Sequence, residues 1–302
     1  MKCLIIYEVN YVYKFDIHNL SERIKLLKII WRDMKKIIIC IITAGFITNC
    51  AVENPESVDV DITQTYFTEF MACKAGPDQS TATMTSMISE WQQLLEGDSL
   101  VGSWGYAPAV ATNSSEDTIW WELQWTSQED ANNAWEAWLQ NEDASAWEEK
   151  YISVLDCDGE NRQSFDTAYP IASNAFGELP DSGYFYAEIL FCTYENGGTK
   201  EDALGFLSGF NNAVNKGGYE GTSYHYGNYF QQGNDEGFLW GNFTNSKESM
   251  DKATEAFEAN VRDEMFPIFS EFASCGDATD LYNGYTLYWS QDKDFMPTFP
   301  SS

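Results

Sequence analysis

An internal duplication, marked by two pairs of cysteines at matching spacing, constrains the fold of this chain more than any other feature. Cys73 and Cys157 enclose most of a first unit, and Cys192 and Cys275 enclose most of a second. The offset between the units is 119 residues at the first cysteines and 118 at the second. A chain that repeats one pattern is expected to fold as two similar units with the same order of elements.

Each unit contains the same predicted elements in the same order. The opening strands, over 66–73 and 185–192, each carry a glutamate four residues before the cysteine, Glu69 and Glu188. A helix follows each, because apolar residues recur at helical spacing over 84–95 and 203–214. Two aromatic strands come next, over 100–110 and 118–125 in the first unit and 220–231 and 237–243 in the second.

A second helix and a last strand complete each unit. Thr126 with Glu129 forms a capping-box pattern in the first unit, and Asn245 with Glu248 takes its place in the second. We therefore expect these helices to begin directly after Thr126 and Asn245. The last strands are predicted over 164–169 and 284–289.

The order β-α-β-β-α-β, written twice, is that of the ferredoxin-like split βαβ unit. Such a unit has helices on one face of its sheet, so the other face needs a cover, and a tandem pair supplies one. On element order and duplication, residues 64–290 resemble the dimeric α+β barrel superfamily. Its members include antibiotic-biosynthesis-type monooxygenases, haem-degrading enzymes and relatives of chlorite dismutase. The resemblance implies an α+β fold in which two ferredoxin-like repeats, 64–170 and 184–290, pack sheet to sheet as an intramolecular dimeric α+β barrel.

The duplication also selects a cysteine pairing. Four cysteines allow three pairings, and the repeat selects the one that closes a bridge within each unit, Cys73–Cys157 with Cys192–Cys275. Each bridge would close a loop of about 84 residues, worth roughly 4 kcal/mol in the chain-entropy account. A metal site is the alternative, but none of the four cysteines lies in a C-x-x-C pattern and no histidine is close by. We predict no metal.

The N-terminal region predicts export. A positive stretch at 34–36 precedes an apolar run over 37–48, which ends at Asn49-Cys50. The segment over 34–50 resembles a bacterial lipoprotein signal, which implies a lipid anchor at Cys50 and a periplasmic or outer-membrane location. Cleavage near Ala51 with secretion, or an uncleaved anchor, is the alternative.

The remaining boundaries follow from composition. Residues 1–33 precede a segment that is already a complete signal, so we predict that translation starts at Met34. Residues 51–63 are predicted to be a flexible acidic tether, 171–183 a linker rich in proline and glycine, and 291–302 a C-terminal tail.

The chain is strongly acidic. Residues 1–49 hold 8 of the 17 basic and 4 of the 47 acidic side chains, so the rest of the chain carries 9 basic and 43 acidic residues. Such a surface repels nucleic acid and anionic lipid headgroups, which excludes both as expected partners. Because the duplication supplies an internal pseudo-dimer, we expect a monomer.

Glu69 and Glu188 are the main candidates for acid–base chemistry, with His225 as a third. The glutamates are expected on neighbouring central strands or across a pseudo-two-fold axis, and two carboxylates in an apolar barrel would raise one pKa. Each shares a strand face with its cysteine, however, so both could point toward the helices instead. His225, whose counterpart by sequence offset is about Gly105, lies in a predicted strand rather than on a helix. The axial histidine of haem-using relatives therefore has no match, and no cofactor is predicted.

A set of aromatic residues on the predicted strands provides candidates for ligand binding, although packing of a core explains large aromatics equally well. These candidates are Trp104, Trp121, Tyr224, Tyr226 and Trp240.

Three functions remain open at the level of sequence. The first is an exported, envelope-anchored protein that binds a small apolar or aromatic molecule in the barrel. The second is a cofactor-free oxygenase-like enzyme that uses the same cavity. The third is a structural or interaction module with a filled barrel. The sequence favours the first, because it lacks a complete catalytic set.

Overall fold

The computed structural model describes residues 64–114, 117–170 and 180–300. The expected start at Met34, the export signal, the tether, residues 171–179 of the linker and the last two residues of the tail lie outside the described residues. Within the described part, no helix has the length and apolar character needed to cross a membrane.

The described chain is an α+β structure with nine strands and six helices. In chain order they are β1 (Gln64–Ala75), α1 (Thr81–Leu94), β2 (Leu100–Pro108), β3 (Ile119–Trp125), α2 (Gln128–Gln140), α3 (Glu142–Tyr151), β4 (Leu155–Cys157), β5 (Gln163–Tyr169), β6 (Tyr184–Tyr194), α4 (Lys200–Val214), β7 (His225–Gln231), β8 (Gly237–Thr244), α5 (Lys247–Asn260), α6 (Arg262–Phe269) and β9 (Ala273–Trp289).

The strands form one antiparallel sheet in the order β3-β2-β9-β6-β8-β7-β5-β1-β4, and β1 also pairs with β3. Every strand except the short β4 therefore has at least two hydrogen-bonded neighbours, β1 having three, and the order of the other eight returns to its start. We call these eight strands the strand ring. Strands β1, β2, β3 and β5 come from the first half of the chain (64–170), and β6 to β9 come from the second half (184–290).

Two layers of helices cover the outer face of the strand ring. Side chains of α1, α2 and α3 pack with β1 and β3 in one core, which we call the first helix layer. Side chains of α4, α5 and α6 pack with β7 and β8 in another, the second helix layer. Each layer buries the apolar stripe of its helices. Burial of that stripe supplies most of the stability of an amphipathic helix in a protein.

The inner face of the strand ring is packed with aromatic rings from both halves. The ring centroid of Tyr106 on β2 lies 5.5 Å from that of Phe185 on β6 and 6.0 Å from that of Tyr282 on β9. Gly284 permits this packing, because a Cβ atom at that position would lie 2.1 Å from the ring of Phe185. We call this group the inner cluster; its buried members are Tyr106, Phe185, Ala187 and Tyr282.

The cysteine pairing predicted from the duplication is confirmed. Cys73 lies opposite Cys157 where β1 pairs with β4, and their sulfur atoms are 2.07 Å apart. Cys192 lies opposite Cys275 where β6 pairs with β9, with sulfur atoms 2.00 Å apart. Each disulfide thus joins the first strand of a half to the segment that follows its last helix.

Both predicted helix starts are wrong by one residue. The side chain of Ser127 accepts a hydrogen bond from the backbone N–H of Asp130, and that of Ser246 accepts one from Ser249. The backbone N–H groups of the residues before them are bonded elsewhere, since that of Thr126 donates to the carbonyl oxygen of Ser99, just before β2, and that of Asn245 donates to the carbonyl oxygen of Thr222, in the turn before β7. These bonds place Thr126 and Asn245 in the connection between strand and helix, so the cap falls on the serine that follows each.

Two strand limits also differ from the expectation. The strand predicted over 220–231 begins only at His225, because Gly221 and Ser223 have φ of 74° and 52° and form a turn. The strand predicted over 284–289 begins at residue 273 and runs for 17 residues. Its early residues include the polar Asp280 and Asn283, which weaken the sequence signal for a strand, yet both are paired with β6.

Candidate functional site

A cavity with a volume of about 780 Å³ lies in the first helix layer, between the helices and the outer face of the strands. A cavity of that size suits a small organic ligand. We call it the tryptophan cavity, because six tryptophans line it: Trp91, Trp121, Trp125, Trp135, Trp138 and Trp147.

The elements around the cavity explain why so many indole rings meet there. Alternate residues of β3 point to one face of the sheet, which brings Trp121 and Trp125 into the first helix layer. Trp135 and Trp138 are three residues apart on α2 and share one side of that helix. Trp147 comes from α3, which begins after Asn141 caps it.

The rings form a continuous aromatic wall. The ring centroid of Trp121 lies 5.1 Å from that of Trp91 and 6.4 Å from that of Trp147. Trp147 in turn lies 5.8 Å from both Trp138 and Tyr151. Offset and edge contacts of this kind add to the stabilisation that comes from burying the rings.

Protein acceptors already satisfy the polar edges of five of the six rings. The indole N–H of Trp147 donates to the carbonyl oxygen of Met87 at 3.0 Å, and that of Trp138 donates to Glu148 at 2.7 Å. The indole N–H of Trp121 donates to the hydroxyl of Ser103 at 2.7 Å. What the wall offers a ligand is therefore its apolar ring surface rather than its donors.

The cavity has an apolar mouth. Leu139 at the end of α2 is 78% exposed and Ile152 after α3 is 58% exposed, and both line the cavity. Large apolar side chains that remain exposed next to a concave surface are typical of ligand-binding sites.

Glu69 lies at the base of this helix layer. It is 4% exposed, and its carboxylate accepts hydrogen bonds from the indole N–H groups of Trp125 at 3.0 Å and Trp135 at 2.6 Å. Arg162 donates to the same carboxylate through Nε at 2.9 Å. Its guanidinium also lies over the ring of Trp135, 4.0 Å from the centroid. Glu69 therefore holds two rings and one cation in place.

Glu188 lies in the second helix layer. Its carboxylate accepts a hydrogen bond from the side-chain amide of Asn242 at 3.1 Å, and burial raises its pKa. Its strand β6 pairs with β8 and β9, whereas β1, which carries Glu69, pairs with β3, β4 and β5. Of the two arrangements expected for the glutamates, the one on neighbouring strands is therefore wrong, and the one across a pseudo-two-fold axis stays a prediction.

The aromatic candidates from the sequence do not form one group. Trp121 lines the tryptophan cavity. Tyr224, Tyr226 and Trp240 are buried in the second helix layer. Trp104 packs against the inner cluster. Trp104 faces the inside of the strand ring, whereas the other four lie on its outer face, where Trp121 belongs to one helix layer and the remaining three to the other.

His225 lies at the start of β7 and is not part of the cavity wall. Its Nδ1 is 2.6 Å from the carbonyl oxygen of Ser223, and burial lowers its pKa. The strand registers match it to Gly102, because Gly105 lies opposite Trp121 whereas Asn228 lies opposite the equivalent Trp240. The counterpart that sequence offset gave, Gly105, is wrong.

The residues present do not fit a haem held by an axial histidine, since the described part of the chain places its histidine on a strand outside the cavity. No group of three or more histidine, cysteine, aspartate or glutamate side chains within the described residues has the arrangement of a metal site.

A buried carboxyl group that the sequence did not single out lies inside the strand ring. Glu122 on β3 is 1% exposed, and the hydroxyl of Tyr106 donates a hydrogen bond to its Oε2. Its Oε1 has no hydrogen-bond partner among the described residues. Tyr169 and Tyr229 lie nearby, with their hydroxyl groups 2.7 Å apart.

Burial dominates the electrostatics of this group. It raises the pKa of Glu122 to about 8, although the hydrogen bond from Tyr106 and the nearby hydroxyl of Tyr169 act in the opposite direction. Burial likewise raises the pKa values of Tyr106, Tyr169 and Tyr229 well above their usual range. At neutral pH the group is therefore a set of neutral hydrogen-bonding side chains.

No protein-family model matches the chain, and no curated protein matches its sequence. Solved structures do match: a chlorite dismutase variant from Candidatus Nitrospira defluvii is 13% identical, with a TM-score of 0.41, 74% of this chain covered and 92% of that one. A putative chlorite dismutase is 11% identical, with a TM-score of 0.42 and 76% and 97% covered.

A likeness at these identities and TM-scores carries no argument about activity or ligand.

Proposed function

We propose that this protein binds a small apolar or aromatic molecule in the tryptophan cavity. The observation that carries the proposal is the cavity itself, with a volume of about 780 Å³ and a wall of six tryptophans. Rings whose N–H groups already have protein acceptors offer flat apolar surface, which suits an aromatic or aliphatic ligand.

Binding is favoured over catalysis because the buried carboxyl groups with raised pKa values, Glu122 and Glu188, lie outside the cavity wall. The raised pKa that would suit a general base belongs to Glu122, which lies on the inner face of the strand ring and not in the cavity wall. A cofactor-free oxygenase would need such a group next to its substrate. Binding is also favoured over a purely structural role, because the cavity leaves ring surface uncovered.

We propose that the strand ring is a tandem dimeric α+β barrel. Each half contributes its strands in the order fourth, first, third, second: β5-β1-β3-β2 and β9-β6-β8-β7. That order belongs to a ferredoxin-like unit. The halves meet through β2 with β9 and β5 with β7, so the inner face of each is covered by the other.

We also propose that the protein is exported and anchored in a bacterial envelope through a lipid on Cys50. Two cysteine pairs at disulfide distance support export, because such bonds persist in oxidising compartments. Expression in a Gram-negative host with labelled palmitate tests the anchor. The wild type should incorporate the label and Cys50→Ala should not. An unlabelled wild type, or equal labelling of the two, would contradict the proposal.

Ligand binding is tested with a neutral, flat reporter dye, N-phenyl-1-naphthylamine. Titration should give saturable binding at one site and energy transfer from tryptophan to the dye. Trp138→Ala, which removes a ring from the wall, should weaken binding about fivefold to tenfold, in line with the energy of one aromatic contact.

The duplication supplies a matched control for this test. Phe257 on α5 occupies the place that Trp138 has on α2, but it packs in the second helix layer. Phe257→Ala should leave dye binding unchanged. If the wild type does not bind the dye, or if both variants weaken binding equally, the tryptophan cavity is not the binding site.

A further inference from the structure

Cations already lie over the aromatic wall of the tryptophan cavity. The guanidinium of Arg162 is 4.0 Å from the ring centroid of Trp135, and the ammonium of Lys150 is 4.9 Å from that of Tyr151. Both distances are within the range at which a ring face attracts a positive charge. The wall is therefore built from rings whose faces accept cations.

The charges of these two side chains are neutralised within the protein. Arg162 pairs with Glu69 at 2.9 Å, and Lys150 pairs with Glu90 at 2.7 Å. Neither cation is left to attract an anionic ligand into the cavity.

The carboxylates of the cavity wall are not neutralised in this way. The wall contains five carboxylates and one cationic side chain, that of Arg162. All five are exposed, and none is paired with a lysine or arginine of the described residues. They are Glu96, Glu148, Glu149, Asp156 and Glu160.

The two observations act together. Aromatic faces and uncompensated carboxylates both favour a positively charged guest, and both disfavour a negative one. The strong negative charge of the chain adds a long-range attraction for cations, which raises their concentration near the surface.

We propose that the tryptophan cavity selects organic cations: quaternary ammonium compounds or aromatic cations whose apolar body fits against the indole rings. This inference rests on the proposed function and names the class of ligand that the same site takes. The rings hold the apolar body of the ligand, and the carboxylates at the wall hold its charge.

Three probes that share a phenyl ring with a branched three-methyl group and differ in charge test the selection. N,N,N-trimethylanilinium is positive, tert-butylbenzene is neutral and 4-tert-butylbenzoate is negative. Each is used to displace N-phenyl-1-naphthylamine from the full exported protein at low salt. The cation should displace the dye at a concentration about tenfold lower than the neutral probe, and the anion should be the weakest. Added 0.5 M NaCl should weaken the cation and leave the neutral probe unchanged.

Two double variants test whether the carboxylates of the cavity wall cause the preference for cations. The double variant Glu148→Gln/Glu149→Gln removes two carboxylates of the wall and should reduce the preference for the cation about threefold, without changing the affinity for tert-butylbenzene. The double variant Glu129→Gln/Glu136→Gln removes two exposed carboxylates from α2 outside the wall. It makes the same change in net charge and should leave the preference as it is.

The outcomes separate the two proposals. If the dye does not bind, the proposed function fails. If the dye binds but the neutral probe displaces it as well as the cation does, or none of the probes displaces it, the cavity is a binding site without selection for cations. If both double variants reduce the preference equally, the selection comes from net charge and not from this wall, which also overturns the inference.

Discussion

At the scale of single residues, burial makes ionisation of the Glu122 carboxyl group unfavourable. The group is surrounded by the inner face of the strand ring, where Tyr106 donates a hydrogen bond to one oxygen and the other has no partner among the described residues. Burial favours the neutral form, which is why the pKa is raised to about 8.

The free energy of unfolding should therefore depend on pH through Glu122. The folded protein keeps this proton up to about pH 8, whereas the unfolded chain releases it near its ordinary pKa of 4.5. The folded state thus binds more protons between these values, so its stability falls as pH rises through that window. The shift corresponds to about 5 kcal/mol.

The variant Glu122→Gln should remove this dependence, because the amide is neutral at every pH. Urea unfolding followed by tryptophan fluorescence at pH 5, 7 and 9 measures it. Wild type and variant should have similar stabilities at pH 5, and the variant should be the more stable at pH 9. A constant difference at all three pH values would show that Glu122 does not titrate in this window.

Glu69 and Glu188 should respond differently to the same change. Glu69 pairs with Arg162 and accepts from two indole N–H groups, so Glu69→Gln leaves a half-buried guanidinium without its counter-charge. We expect a loss of about 3 kcal/mol, as for other broken buried pairs. Glu188 accepts only from Asn242 in the described structure, so Glu188→Gln should cost less than 1 kcal/mol. Equal losses in urea unfolding would contradict this reading.

At the scale of elements, the helix starts show what a local pattern can and cannot decide. Thr126 and Ser127 are both good capping residues, as are Asn245 and Ser246. The sequence predicted that a helix begins here in each half, but the choice between neighbours depends on backbone hydrogen bonds to Ser99 and Thr222, which are distant in sequence.

The caps are tested by substitution with alanine. Ser127→Ala and Ser246→Ala should each lower the free energy of unfolding by about 1 kcal/mol, because each leaves a backbone N–H of the first turn without its acceptor. Thr126→Ala and Asn245→Ala should cost less than half as much. If the earlier residue of each pair proves the more costly, the helices begin where the sequence predicted.

The face of the sheet on which each side chain lies was harder to predict than the position of the strands along the chain. In the segment 119–125, aromatic residues fall on both faces of β3, so alternation gives no preferred side. Glu122 and Gln124 would normally indicate a face toward water. They are buried, 1% and 3% exposed, because the second half of the chain covers that face. For Glu69, the shared parity with Cys73 did point to the helix side, where the structure places it.

The wall of the tryptophan cavity could be predicted only in part. Trp121 was identified from its place on an aromatic strand. Trp135, Trp138 and Trp147 come from helices, where large apolar residues normally pack in a core. Whether they fill the space between helix and sheet or leave a cavity depends on the break at Asn141 between α2 and α3, which no spacing in the sequence indicates.

At the scale of the whole molecule, two seams of paired strands join the halves. The pairing of β2 with β9 runs from Gly102 opposite Trp289 to Pro108 opposite Tyr282. The pairing of β5 with β7 runs from Phe165 opposite Gln231 to Ala168 opposite Asn228. The inner cluster adds rings from both halves. Neither half can unfold without exposing apolar surface of the other, so the described structure should unfold as one unit.

Removal of one disulfide tests this cooperativity. The bridges close loops of nearly equal length, with sequence separations of 84 and 83, so each should stabilise the fold by about 4 kcal/mol. Cys73→Ala/Cys157→Ala and Cys192→Ala/Cys275→Ala should therefore lose similar amounts. Each variant should also unfold in a single transition. The paired strands at the two seams couple the halves, so a loss of stability in one half lowers the stability of the whole structure.

Two probes of urea unfolding distinguish one unit from two. Eight of the ten described tryptophans lie in the first half, so fluorescence reports mainly on that half, whereas far-UV circular dichroism reports on both. Coincident curves in the Cys73→Ala/Cys157→Ala variant indicate one cooperative structure. If fluorescence changes first while part of the dichroism persists to the wild-type midpoint, the halves are independent domains. The seams would then stabilise the structure less than the packing within each half.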